Sequence, residues 1–183
     1  MSQKATGILR RAVLKVCTDP RTSTVRSMAH TWDLLAAVGK VQVSPAMSKL
    51  RQQVMNDALI REAGLGNLTT VDALLKAGAS PSASGSGTTA LYEAAHNGWT
   101  KVVARILQSF AKIDVRVSLG LGAIHAAIVG NYPGIVQLLG KSGANLMFQT
   151  ADGSTPLELA IRLHRPAIAT YLRTQGAVRS RTR

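Results

Sequence analysis

The sequence has little to offer covalent or redox chemistry. A single cysteine, Cys17, stands in 183 residues, so no disulfide can close within the chain. Cys17 lies on an apolar helical stretch with no histidine beside it, and it reads as a structural thiol rather than a nucleophile. One unpaired cysteine fits a reducing compartment, or one in which disulfides are unused. Aromatic residues make up 4% of the chain against 46% hydrophobic residues, so the core must come from Ala, Leu, Ile and Val. Acids number nine, and none pair at a spacing suited to acid–base catalysis. The four histidines, His30, His96, His125 and His164, are far apart and have no cysteine partners, which argues against a metal site. Gly120 and Gly122 before His125 start a dinucleotide-like glycine pattern, but its third glycine is missing. No apolar run approaches the roughly 18 residues of a membrane span. The expectation is a non-enzyme with no cofactor, no metal, no small-molecule substrate and no transmembrane segment.

What the chain has in abundance is positive charge, +13 in all, and its placement is uneven. Residues 1–51 carry +7, residues 52–177 carry +3, and Arg179, Arg181 and Arg183 add +3 in the last six positions. Near the start, Ile8, Leu9, Ala12, Val13 and Val16 share one helical face while Arg10, Arg11 and Lys15 fall away from it. This segment, basic, hydroxyl-bearing and poor in acids through Arg26, is similar to a mitochondrial transit peptide. A solvated amphipathic arm is the other reading. Residues 18–43 read as irregular, with Trp32 as an anchor. Ser44 and Pro45 then open one long helix, to about Ala63, with Met47, Leu50, Val54, Ala58 and Leu59 at helical spacing.

Beyond that helix the chain repeats itself. Leu91, Ile124 and Leu157 are separated by 33 residues each time, as are Ala94, Ala127 and Ala160. Val102, Ile135 and Ile168 keep the same step, and so do Ile106, Leu139 and Leu172. Gly87, Gly120 and Gly153 precede each copy at a fixed offset. An earlier copy, through Leu59, Ala63, Gly66, Val71 and Leu74, fits at an offset of 32. Such a period, with small residues in one helix and aliphatic pairs in the next, means stacked helical hairpins. Gly78, Gly143 and Gly176 fall where each second helix must end in a left-handed turn. The stretch 80–87, SPSASGSG, reads as a flexible connection.

The segments TTALYEAAHNG, GAIHAAIVGN and STPLELAIRLH resemble the ankyrin repeat, whose hallmark is Thr-Pro-Leu-His followed by small residues. The fourth copy is nearest to that pattern, with Asp152, Gly153, Thr155, Pro156 and Leu157. No copy holds both the Thr and the His: His125 is present but Gly122 replaces its Thr, and Tyr92 and Glu158 replace the His elsewhere. Phe110 stands where a helix-ending glycine is expected, and Asn131 and His164 stand where Gly98 does. These departures imply irregular fingers and a stack less stable than a regular one.

The expected architecture is therefore all-α, an ankyrin-like solenoid of about four repeats, the first modified as a cap. The solenoid would fill 44–177, between a basic extension at 1–43 and a basic tail at 178–183. The resemblance implies binding of proteins through finger tips and first helices. The corresponding positions are Glu93, His96, Asn97, Ala126, Val129, Leu159, Arg162 and Leu163. Arg10, Arg11, Lys15, Arg179, Arg181 and Arg183 are the candidate contacts to a polyanion, either ribosomal RNA or anionic lipid. The functional expectation is an accessory subunit of a large mitochondrial assembly such as a ribosome. Alternatives are a respiratory membrane complex, or a soluble cytoplasmic adaptor that captures one protein.

Overall fold

The computed structural model describes residues 45–85 and 87–176. The basic N-terminal extension expected to hold a targeting segment, Trp32, the Ser44 cap and the basic tail lie outside the described residues. The long opening helix, α1, runs Pro45–Leu65. It is followed by α2 Leu68–Lys76, then a two-strand hairpin, β1 Ser84–Gly85 against β2 Thr88–Thr89. Three helix pairs follow: α3 Ala90–His96 with α4 Thr100–Leu107, α5 Ala123–Val129 with α6 Pro133–Lys141, and α7 Pro156–Arg162 with α8 Pro166–Thr174. The compact unit that holds the repeats begins at Gln52. The 80–87 stretch expected to be flexible is thus partly a paired hairpin, with Ser84 opposite Thr89 and Gly85 opposite Thr88.

The helices form two layers. First helices α3, α5 and α7 pack side by side, and second helices α2, α4, α6 and α8 do the same behind them. The residues that set the 33-residue period are the ones at the contacts. Leu91, Ile124, Leu157, Ala94, Ala127, Ala160, Val102, Ile135, Ile168, Ile106, Leu139 and Leu172 are all buried. Each large aliphatic among them contributes about 1.5–3 kcal/mol relative to exposure, so the period of the sequence is the period of the core. The alanines carry no bulk past Cβ and let adjacent first helices approach. Second helices end where the sequence placed glycine: Gly78, Gly143 and Gly176 have φ of +95°, +91° and +79°. Phe110 takes the same left-handed turn with φ +57°.

The turns between first and second helices show a second regularity. The Trp99 ring lies over Gly66, where a Cβ would come within 2.5 Å of it, and its Nε1–H donates to the Gly64 carbonyl at 2.8 Å. Tyr132, 33 residues later, covers Gly98, where a Cβ would sit 2.6 Å from the ring. At the next step the covered glycine becomes Asn131 and the ring becomes Arg165, whose guanidinium donates to the Val129 carbonyl at 3.2 Å. A ring lies flat on a residue only when that residue lacks Cβ. The Asn131 departure and the loss of an aromatic at 165 therefore go together. Asn131 and His164 keep the left-handed backbone, with φ +58° and +54°.

The second and third fingers share one backbone hydrogen bond. Val117 N–H donates to the Leu121 carbonyl at 2.8 Å, and Thr150 N–H donates to the Ser154 carbonyl at 3.1 Å, one period on. Neighbouring fingers are joined by Ser118 N–H to Gly87 O at 3.3 Å and Ala151 N–H to Leu119 O at 3.0 Å. The fingers otherwise differ, as expected: the first is the β1–β2 hairpin and the second carries a 3-10 turn at Ser118–Gly120.

Candidate protein-binding face

Each first helix begins with a capping arrangement that fixes how its outer residues are presented. In α7, Thr155 Oγ1 accepts the Glu158 N–H at 3.3 Å, and the Glu158 carboxylate accepts the Thr155 N–H at 2.8 Å. Pro156 follows at the first helical position, where no N–H is needed. In α3, Thr89 Oγ1 accepts the Tyr92 N–H at 3.2 Å. In α5 the cap is Gly122, and the roles reverse: the Gly122 N–H donates to His125 Nδ1 at 3.0 Å.

The missing threonine at 122 has a physical explanation. A Cβ there would come within 2.7 Å of the Phe148 ring. Phe148 occupies the volume a threonine would take, and its ring packs against His125 with centroids 5.8 Å apart. The Arg116 guanidinium covers the ring at 4.5 Å and donates to the Gln149 carbonyl at 2.6 Å. His125 is fully buried, and its pKa is pushed down to about 4, chiefly by burial, with the Arg116 charge adding to the effect. The ring is thus neutral, with Nδ1 as acceptor. Nε2 has no well-formed hydrogen bond and only a weak contact with the Phe148 backbone.

The packing of α3, α5 and α7 brings His96, Val129 and Arg162 into one row, each one period from the next. All three are exposed, Val129 by 41%. The His96 ring stacks on Tyr92, centroids 6.0 Å apart and nearly parallel. Arg162 reaches back to its own finger, 3.5 Å from the Asp152 carboxylate and 3.3 Å from Ser154 Oγ. Asn97 is exposed and bonded to the Glu93 carbonyl at 3.0 Å. Glu93 is half-buried and accepts from Thr88 Oγ1 at 2.8 Å; Leu163 is half-buried. Leu159 was expected among the exposed aliphatics, but only 6% of it is exposed. Its neighbour position Ala126 is buried as well. In α5, which lies between α3 and α7, only the last residue, Val129, is exposed. The six arm residues Arg10, Arg11, Lys15, Arg179, Arg181 and Arg183 lie outside the described residues.

Electrostatics on this side is set by hydrogen bonds. Asp152 accepts from Thr150 Oγ1, from Ser154 N–H at 3.3 Å and from Ser154 Oγ at 3.0 Å. These donors, Thr150 first, hold its pKa down to about 2. One period earlier the same finger position holds Leu119, 77% exposed with φ +62°. Sequence reasoning missed Leu119, although replacement of the finger-tip aspartate by leucine was the available signal. Among the described residues, no three His, Cys, Asp or Glu side chains come together as a metal would require. No helix among them is long and apolar enough to cross a membrane.

The model of the ankyrin-repeat family, three copies long, matches residues 59–150, half of the chain. The chain belongs to the ankyrin-repeat family. Its two-layer stack, capped first helices and left-handed helix ends are those repeats as this sequence builds them. Neurogenic locus notch homolog protein 1 of Danio rerio is 37% identical over 78 residues, covering 42% of this chain and 3% of that protein. The human protein of the same name is 35% identical over the same length. A Rickettsia bellii protein named as an ankyrin repeat protein is 38% identical over 66 residues, or 36% of this chain and 28% of its own length. The chain thus spans a small fraction of the curated relatives it matches. What it shares with them is ankyrin repeats, a protein–protein interaction scaffold.

Proposed function

We propose that the chain is a non-catalytic accessory subunit of a large mitochondrial assembly such as a ribosome. Its ankyrin stack docks on protein partners and its basic arms grip an anionic surface. The observation that carries the protein-binding part is the row His96–Val129–Arg162. An exposed aliphatic sits there between an aromatic pair and a cation, the mixture that protein interfaces use. Support for the anionic contact is the charge layout, +7 before residue 52 and +3 after residue 177. Arginine arms gain affinity from phosphate contacts without reading sequence, and ribosomal RNA offers a dense phosphate surface. Support for the mitochondrial location is the basic amphipathic pattern of residues 1–26.

The test is a gentle isolation of the full chain after crosslinking in cells, beside Val129→Asp. Val129 is surface-exposed, so the variant should keep its circular dichroism spectrum and lose its crosslinked protein partners. Retention of every partner would place protein binding elsewhere. Neutralising Arg179, Arg181 and Arg183 should flatten the salt dependence of RNA binding by at most about three units in slope. Residues 1–26 fused to a fluorescent protein should carry it to mitochondria, and a diffuse cytosolic signal would remove that part of the reading.

A further inference from the structure

Phe110 is the residue whose placement the fold explains least. It is 95% exposed, and its backbone is left-handed at φ +57°. One period away on either side the same position is glycine, at Gly78 and Gly143, and then again at Gly176. At those glycines a Cβ would meet nothing within 4 Å, so the surroundings are open solvent. A side chain in the left-handed region is disfavoured, and an exposed phenyl ring returns nothing to the core. Phe110 therefore ends its helix in the left-handed turn without adding its ring to the core.

The edge on which it stands is formed by the C-terminal turns of α2, α4, α6 and α8, which lie side by side. Each of the four repeats contributes an exposed cation to it: Lys76 and Lys141 at the last positions of α2 and α6, Arg173 in the last turn of α8, and Lys112 two residues past Phe110. The nearby acids are already engaged. Asp72 is held by Lys76 at 2.6 Å and Arg105 at 2.7 Å, and Asp114 accepts the Asn145 N–H at 3.1 Å. Cations at helix C-termini also offset the helix dipoles, but that role gives the phenyl ring nothing to do.

We infer that this edge rests on an anionic lipid surface, with Phe110 inserted among the headgroups and Lys112, Lys141 and Arg173 facing lipid phosphates. Lysines and arginines near an anionic leaflet each strengthen binding by about fivefold, and one aromatic prong anchors the orientation. A protein hot spot would surround the ring with further apolar contacts. Among the described residues, Phe110 is the most exposed large apolar side chain, at 95%. A base-stacking site would need a second ring or guanidinium beside it, and no aromatic or cation–π contact among the described residues involves Phe110. The edge is separate from the row His96–Val129–Arg162, and the inference does not rest on the protein-binding reading.

The experiment uses the full chain with both arms intact. Sedimentation is measured with vesicles of equimolar phosphatidylserine and phosphatidylcholine, and with phosphatidylcholine alone. The wild type is expected to bind only the anionic vesicles. Phe110→Gly restores the residue that the other copies hold. It should melt at the same temperature or higher, yet bind anionic vesicles about tenfold more weakly. The pair Lys112→Gln with Lys141→Gln should cost a similar or larger factor, and Phe110→Trp should bind like the wild type. Equal vesicle binding by Phe110→Gly and the wild type would overturn the assignment, as would absence of wild-type binding. If Phe110→Gly spares vesicles but weakens binding to a single-stranded RNA oligonucleotide, the edge is a nucleic-acid site and the lipid assignment is wrong.

Discussion

The third and fourth repeats occupy the same 33-residue frame and begin their first helices in opposite ways. The fourth uses Thr155, Pro156 and Glu158, a reciprocal side-chain cap made from polar atoms at the helix start. The third has glycine at the cap, turns His125 inward, and fills the vacated space with Phe148. One start is a local exchange between Thr155 and Glu158; the other depends on a neutral imidazole and on a ring contributed by the next finger. The same backbone can therefore be held by a local hydrogen-bond motif or by a contact that spans two fingers. Only the second makes neighbouring repeats depend on each other at that point.

The comparison breaks most severely if the third repeat is denied its packing. Ala127 is wholly buried where α5 meets both α3 and α7. Ala127→Arg forces a charge into that contact and should cost more than about 4 kcal/mol, abolishing a cooperative melt followed by circular dichroism. An unchanged melting temperature would mean the register of the third repeat is wrong.

The second test is acid. In the folded chain His125 titrates at about 4, against 6.5 when unfolded. The unfolded state binds the proton more readily between those values. Stability from the neutral ring is complete above about pH 6.5 and is lost as pH falls through 4, amounting to about 3 kcal/mol. Chemical denaturation at stepped pH should show this slope, and His125→Gln should flatten it. Asp152 in the fourth repeat behaves oppositely: its contribution is present above the ordinary carboxylate value and is lost only as pH falls from there toward about 2.

A third test trades one solution for the other. Gly122→Thr drives a methyl or hydroxyl into Phe148 and should cost about 2 kcal/mol. Combined with Phe148→Ala, which removes the obstacle, the loss should be smaller than the sum of the two single changes. Additive losses in that double-mutant cycle would show that the two residues are not exchanging one volume. The smallest expected effect lies in the fourth repeat. Thr155→Ala removes the acceptor for the Glu158 N–H and should cost about 1 kcal/mol, read from the same melts.

Much of the fold was legible because the period of the core is a property of sequence spacing. Ala94, Ala127 and Ala160 had to be small wherever first helices touch, and the glycines at 78, 143 and 176 had to be left-handed wherever second helices stop. The surface was harder to read. Leu159 sits at an outward position of α7 by spacing alone, yet only 6% of it is exposed. Spacing within one helix says nothing about how far its neighbour extends. Phe148 was invisible as a partner of Gly122 because the two meet across fingers 26 positions apart. Leu119 and Phe110 could be noticed only as breaks in the pattern. Their exposure followed from left-handed turns that carry the side chain away from the stack.

The turn residues Trp99 and Arg165 each reach back to hydrogen-bond the preceding repeat, and Tyr132 between them lies over its predecessor's glycine. The grip therefore has a direction. Peeling away the last hairpin removes Arg165 together with the repeat that owns it, and leaves Tyr132 and Trp99 seated. Removing the first hairpin strips the backbone from beneath Trp99 and exposes an indole with nothing to cover. An array built this way shortens more gracefully from its C-terminal end, and a protease or a pulling force applied there would dismantle it one repeat at a time.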